Sequence, residues 1–356
     1  MREASPLKFA HHLLLVFACF VSLVAQAAST SPTAEETRAL LTSNRFDELD
    51  ARYGAIQQAY VRGAISDVDL RTAFRTFYDT DPALESQYLA WVTHSPTSYV
   101  AHLARGIYHH FVARKRAGND RREQNAIAAK ELEKSLGLEQ RPLLTYLHSL
   151  EIESSRTGIP GARKLLAAAI AIDPKAFIVR EKFMGQLRTQ VGGSQEAMKG
   201  FLEECRIAGL SVQQLDRLES LVLEDEAWVH RYGENDPNAA IDAYQKAAKA
   251  DPSAACVPCG PLAKAGDLAV DQKDFARADE LFSEILTHDA NQIHALNQRG
   301  FARPAAWPGK ARRGGSLEVS AARQRLCPED AREDELGRNV DTFGSRAGDL
   351  VDVEGS

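Results

Sequence analysis

The chain has 356 residues, 44% of them hydrophobic and 7% aromatic, with a formal net charge of -6. That length supports one extended or two compact domains with a real core. The acidic balance argues against a nucleic-acid footprint, which needs a basic face, and a chain rich in alanine and leucine but poor in β-branched runs points to helices.

The first segment reads as a targeting element. Arg2 and Lys8 precede an apolar run from Leu13 to Ala25, and small residues stand at Ala25 and Ala27. The run is short for a membrane span and ends in a cleavable pattern. The expectation is a signal peptide over 1–27, cut near Ala27, and an exported, periplasmic or secreted protein. A lipoprotein acylated at Cys19 and an uncleaved anchor are the alternatives. No later segment is apolar enough to cross a membrane. Cys205, Cys256, Cys259 and Cys327 would then lie in an oxidising compartment, where a disulfide persists.

From Thr33 the pattern is helical. Thr33 with Glu36 forms a capping box, and Leu40, Leu41, Leu49, Tyr53 and Ile56 recur at helical spacing with a break near Ser43–Asn44. From Ser66, Leu70, Phe74 and Phe77 share one face. Leu84, Tyr88, Leu89 and Trp91 are the apolar positions of the next helix, closed by Pro96. Short Asp-Pro and Ser-Pro connections imply antiparallel neighbours.

A helix pair then recurs along the chain. "GPLAKAGDLAVDQKDFARADELFSEILTHDA" carries Gly266 and Ala278 at small positions, Phe282 at an aromatic position and Phe275 at the turn. Ala240, Tyr244, Ala247 and Pro252 repeat its second half, and so do Ala162, Leu166, Ala169 and Pro174. Ala197 and Phe201 give it again, while Gly106 takes the small position of a first helix. This pattern resembles the tetratricopeptide repeat over roughly Ser98 to Phe301. The resemblance implies helix pairs whose small residues allow close contact, each leaving an apolar face for the next pair to bury. Two stretches, "LLTSNRFDELDARY" and "LRTQVGGSQEAMKGF", also resemble a bacterial, largely exported family of unknown function with a tetratricopeptide-like helical body, over about Thr33 to Ser253. Val191 stands where that family carries an aromatic. The family transfers no activity.

The pattern begins again at "NQIHALNQRGF", with Leu296 and Gly300 in place, and fails after Phe301. A second helix would need a small residue near Arg312 and an aromatic near Ser316. Pro304, Pro308, Gly309, Gly314 and Gly315 are helix breakers. The expected division is a signal peptide over 1–27, a helical domain over 33–220, repeats over 221–301 and a low-order tail over 302–356. A reading frame lost near Phe301 is a second account of that tail, so neither Trp307 nor Cys327 is assigned to a site.

Cys256 and Cys259, separated by Val257 and Pro258, form the one local pattern that suggests chemistry. The spacing from Ala240 to Ala278 is about four residues longer than a thirty-four-residue period, so "ACVP" reads as an insertion between helix pairs. If both cysteines lie in a first helical turn, their Cα atoms are roughly 5–5.5 Å apart, within disulfide range. Cys256 at a helix start would have a lowered thiol pKa, as in redox Cys-x-x-Cys motifs. Those motifs come after a β-strand, and none is expected here. Zinc would need two more ligands. A local disulfide is the favoured reading; free thiols, redox activity and metal binding stay open.

Other candidates read as structural. His102, His109 and His110 on one helix, with His94 upstream, are taken as surface or groove residues, because no acidic partner with ligand spacing is evident. Gly192–Gly193–Ser194 lacks the strand and lysine of a phosphate loop, so Ser194 is read as an N-cap. The basic run Arg114–Arg122 is placed in a loop between helices. No catalytic residue, cofactor or metal is expected. The fold expectation is all-α, with antiparallel helix pairs stacked as a solenoid. The functional expectation is a scaffold or adaptor that binds a protein or peptide partner on a concave surface. A thiol-disulfide or redox-responsive module built on Cys256 and Cys259 is the alternative.

Overall fold

Where each helix starts is set by its local sequence. Thr33, Ser66, Ser98, Ser194 and Ser211 are N-caps whose hydroxyls accept from the backbone N–H three residues on. At Thr33 the capping box is complete: Thr33 N–H donates to Glu36 Oε2 at 2.8 Å and Glu36 N–H to Thr33 Oγ1 at 3.1 Å. The computed structural model of the protein describes residues 31–257 and 260–306. Every regular element among them is helical. The expected signal peptide, Pro258, Cys259, and the tail from Trp307 with Cys327 lie outside the described residues. No helix of the described residues is long and apolar enough to cross a membrane.

The chain divides into two units between Lys182 and Phe183. The expected boundary after residue 220 falls inside a helix, α11 below. Unit 1 contains α1 (Ala34–Thr42), α2 (Phe46–Val61), α3 (Asp67–Phe74), short 3-10 turns at Arg75–Tyr78 and Pro82–Leu84, α4 (Glu85–His94), α5 (Tyr99–Arg114), α6 (Gly118–Leu136), α7 (Leu143–Thr157) and α8 (Ile159–Ile172). The next helix, α9 (Phe177–Gln186), carries the division. Asn44, with φ of 56°, makes the break between α1 and α2.

Aromatic side chains fill the first part of unit 1. The Tyr53 ring lies 4.5 Å from Phe77 and 5.1 Å from Phe74, and Phe77 lies 6.0 Å from Trp91. The Tyr53 hydroxyl is satisfied between Thr37, at 2.7 Å, and Thr76, at 2.6 Å. Leu84, Tyr88 and Trp91 are buried as their spacing predicts, whereas Leu89 is half exposed. It sits one residue off the stripe and so turns away from the core. A long-range cap joins α3 to α9: the Asp67 carboxylate accepts from the backbone N–H groups of Phe177 and Ile178. Only Lys115–Ala117 of the basic run Arg114–Arg122 lies between helices. Arg114 ends α5, α6 starts at Gly118, and Arg121 and Arg122 are helical.

Unit 2 continues with α10 (Gln195–Ile207), α11 (Val212–Trp228) with a π turn at Val229–Gly233, and α12 (Pro237–Ala250). After a single turn at Pro252–Ala255 come α13 (Pro261–Asp271), α14 (Phe275–His288) and α15 (Ile293–Ala306). Consecutive helices pack on one another, and α15 also touches α13. The last helix runs past Phe301, where the sequence pattern fails, to Ala306.

Close helix contact at glycine recurs in both units. In unit 2 a Cβ on Gly266 would lie 2.6 Å from Phe282 Cζ. In unit 1 a Cβ on Gly106 would lie 2.8 Å from Leu132 Cδ2. Only glycine allows α13 to meet α14, and α5 to meet α6, at these separations. Phe282, Ala278, Ala240, Tyr244 and Ala247 are buried, and so is Ala162 in unit 1. Phe275 is half-buried, while Pro174 and Pro252 are exposed in the connections after α8 and α12. Filling the contact with Gly266→Leu is expected to destabilise the chain by roughly 1–3 kcal/mol. Gly200→Ala in α10, where an added Cβ meets open space, should be neutral or stabilise by about 0.5–1 kcal/mol. Denaturant unfolding of both variants checks this; equal losses would contradict it.

Candidate functional site

Cys256 and Val257, read from the sequence as part of an insertion, do not belong to the next helix. α13 starts at Pro261 with Gly260 as its N-cap. Cys256 instead terminates the separate turn Pro252–Ala255, which Asp251 caps by accepting from Ser253 N–H. The Cys256 carbonyl accepts from Gln292 Nε2 at 2.7 Å, which ties this segment to the start of α15. The condition under which a helix N-terminus would lower the Cys256 thiol pKa is therefore not met. Burial pushes that thiol up, and Glu284 pushes it further in the same direction. Cys259 lies outside the described residues, so its pairing with Cys256 remains an expectation.

The segment contributes to a pocket of about 270 Å³ on unit 2. Two helices supply its polar lining. Gln245 and Lys249 stand one helical turn apart on α12, and Glu284 and His288 stand one turn apart on α14. Leu262, Ala248 and Ala255 line it with apolar surface, and Cys256 lines it as well. The site thus offers both signs of charge together with apolar surface.

The histidines of α5 are buried, which corrects the sequence expectation of surface or groove residues. His102 Nδ1 lies 2.5 Å from Glu131 of α6 and its Nε2 lies 3.0 Å from the Pro96 carbonyl. Arg105 completes the Glu131 site at 2.5 Å. Burial alone would raise the Glu131 carboxyl, but His102 and Arg105 outweigh it and hold it below its usual range. His109 Nδ1 contacts Gln124 at 2.7 Å. These contacts staple α5 to α6 on either side of the Gly106–Leu132 approach. His94 is exposed, 3.1 Å from Asp47.

His110 belongs to a second buried group that sequence reasoning missed. Its Nδ1 lies 3.4 Å from Nδ1 of His148 on α7, and its Nε2 lies 3.5 Å from Glu151. Glu151 also pairs with Lys182 and, at 3.6 Å, with Arg114. Tyr78 stacks on Phe111 at 3.9 Å and meets the edge of His148. Burial alone would raise Glu151, yet Lys182, His110 and Arg114 hold it well below the usual carboxylate range. An ionised Glu151 calls for a proton on His110 Nε2. The tautomers of the two rings decide which Nδ1 donates, and His110 Nε2 and His148 Nε2 are both buried without a hydrogen-bond partner among the described residues. Burial pushes both imidazoles below their ordinary value, His148 further because His110 and Lys182 face it. The signal was present in the sequence as His148 and Glu151 on one helix face and His110 and Arg114 on another. Their convergence needed the packing of α5 on α7.

The paired glycines are explained by backbone geometry. Gly192 has φ of 92°, and a Cβ on Gly193 would lie 1.9 Å from the Leu187 carbonyl oxygen. Ser194 caps α10 as the sequence predicts. Asp225 of α11 fixes the loop by accepting from Thr189 N–H and Thr189 Oγ1 at 2.9 and 2.8 Å. Next to it Glu224 lies 3.0 Å from Lys264 of α13, both buried. Among the described residues no group of three or more His, Cys, Asp or Glu side chains is arranged to hold a metal ion.

Residues 33–155 match the model of a family described as "Domain of unknown function (DUF4034)". The match covers α1 to α6 and most of α7, so the helical body of unit 1 corresponds to that family over these residues. It is narrower than the Thr33–Ser253 span on which the sequence resembles an exported family. The pocket and the paired-glycine loop lie outside it. No curated protein matches the chain.

The buried histidines make stability depend on pH. In the unfolded chain His110 and His148 titrate near 6.5; in the fold they are held lower. Their stabilising contribution is fully present above that pH and is lost as pH falls below it. Glu151 acts in the same direction at lower pH, because its depressed value makes its contribution disappear on acidification. The thermal midpoint should therefore drop between about pH 7.5 and about pH 5.5, and His148→Gln should flatten that drop; identical slopes would contradict the assignment. At the pocket, reduced protein should react with iodoacetamide at Cys256 more slowly near neutral pH than the denatured chain does, and Glu284→Gln should raise the rate. Peptide mass spectrometry reads both, and a native rate above the denatured one would be the contrary result.

Proposed function

We propose that the protein is an exported helical scaffold of tetratricopeptide-like construction that binds a protein or peptide partner and performs no catalysis of its own. The observation that carries this reading is the pocket beside Cys256. Gln245 and Lys249 of α12 and Glu284 and His288 of α14 line it together with the apolar Leu262 and Ala255. Paired polar side chains at one-turn spacing together with apolar surface suit a peptide segment that presents an apolar anchor flanked by charges of both signs. The glycine-mediated pairing of α13 with α14 holds the site on rigid elements. Export is read from the segment before Ala27.

The place of Cys256 in the pocket lining is what favours the alternative, a redox-responsive thiol. Its raised thiol pKa counts against that reading, since the thiolate is the reactive form.

Capture from a periplasmic extract with tagged full-length protein tests the scaffold reading. A specific partner should be retained by the wild type and weakened about tenfold, roughly 1.4 kcal/mol, by Lys249→Glu and by Glu284→Lys. Equal retention by both variants would count against the pocket. Insulin reduction that disappears in Cys256→Ser would favour the redox reading instead.

A further inference from the structure

In unit 1 a polar group joins the helix pair α5–α6 to the pair α7–α8. His110 and Arg114 come from α5, His148 and Glu151 from α7, and Lys182 from α9. Other contacts hold the first pair together. α5 meets α6 at the Gly106–Leu132 approach and at Glu131, which His102 and Arg105 share. The N-terminal end of α7 is pinned to α6 by the buried hydroxyls of Ser135 and Thr145, 2.8 Å apart. One turn further along α7, His148 is 3% exposed, and His110 opposite it is 2% exposed. Glu151 retains 24% of its side-chain exposure. The group is therefore sealed at its histidine end and reached by solvent at its carboxylate end.

The histidine pair has no good place for a further proton. Its Nδ1 atoms stand 3.4 Å apart, with one proton shared between them. Both Nε2 atoms are buried without a hydrogen-bond partner among the described residues. Glu151 already answers two cations, Lys182 and Arg114. Arg75 and Arg71 add positive charge beside Tyr78, and Arg71 is paired with Glu181. An imidazolium here is a third cation on one carboxylate, in a place closed to water. Such a charge is stable only once it is hydrated. One histidine comes from each helix, so hydration requires α5 and α7 to part. We propose that this group is an acid-operated latch: when the histidine pair takes up a proton, the C-terminal part of α7 swings off α5 about the Ser135–Thr145 contact and uncovers Tyr78 and Phe111. The two rings stack at 3.9 Å, and His148 lies against both, 5.7 Å from Tyr78 and 6.1 Å from Phe111. α8 packs on α7 and moves with it. The opening is confined to this junction, unlike a general loss of stability in acid, and it is separate from the pocket beside Cys256.

Hydrogen–deuterium exchange on the full chain tests the proposal, with exchange times scaled for the intrinsic rate at each pH. Between about pH 7.5 and about pH 5.5, peptides covering Tyr146–Thr157 and Ile107–Arg114 should lose protection about tenfold, while peptides from α2 and α14 keep theirs. His148→Gln and His110→Gln should each abolish this acid response, with circular dichroism at the higher pH checking that they fold. The wild type decides the matter even where a variant does not fold. Unchanged protection of α7 in acid overturns the proposal, and so does an equal loss across the whole chain. A local opening that persists in a folded variant overturns it as well.

Discussion

The approach of two helices over a glycine is the constraint on which the rest of the structure depends. At Gly266 and at Gly106 the neighbouring side chain occupies the volume a Cβ would need. Backbones brought this close remove apolar surface from water along the whole pair and let Phe282 or Leu132 interdigitate with the facing turn. The polar features of each unit are arranged around these contacts. His102 and Glu131 can meet at 2.5 Å because α5 and α6 are already held together at Gly106, one turn away. In unit 2 α12 and α14 both contribute polar residues to the pocket, and the turn Pro252–Ala255 contributes Pro252 and Ala255 to its lining.

Half-buried Glu151 and buried Glu224 are handled differently from exposed charge. Glu151 is surrounded by His110, Lys182 and Arg114, and Glu224 by Lys264, Arg188 and Arg217. In each case burial alone would favour the neutral carboxyl, and the cations reverse that preference. At Glu224 the group specifies which helix faces meet, because removing Lys264 strands a charge away from water. The surface pairs, such as Arg206 with Glu203, carry no comparable constraint.

Much of the fold was legible in the sequence because it is written in local signals. The capping box at Thr33 and Glu36, the break at Asn44, the stripe of Leu70, Phe74 and Phe77, and the N-cap at Ser194 all depend on residues within a few turns of one another. The small and aromatic positions at Gly266 and Phe282 were legible because a repeated pattern fixes their register. What escaped depended on contacts distant in sequence. His110, His148 and Glu151 lie on helices that come together only after packing, so their burial has no local signature. Leu89 reads as core in one dimension, and only the packed stripe shows that it points away. Cys256 falls outside the helix expected for it because an insertion at a repeat junction can extend the next helix or form its own turn, and spacing alone does not choose.

Gly266 and Phe282 act as one packing unit, and a double-mutant cycle measures that coupling directly. Gly266→Ala, Phe282→Ala and the double variant would be unfolded in denaturant under the same conditions. If the contact is as close as 2.6 Å, the cost of Gly266→Ala should largely vanish once the Phe282 ring is gone, giving a coupling of about 0.5–3 kcal/mol. Additive costs would contradict the claim that this contact sets the helix separation.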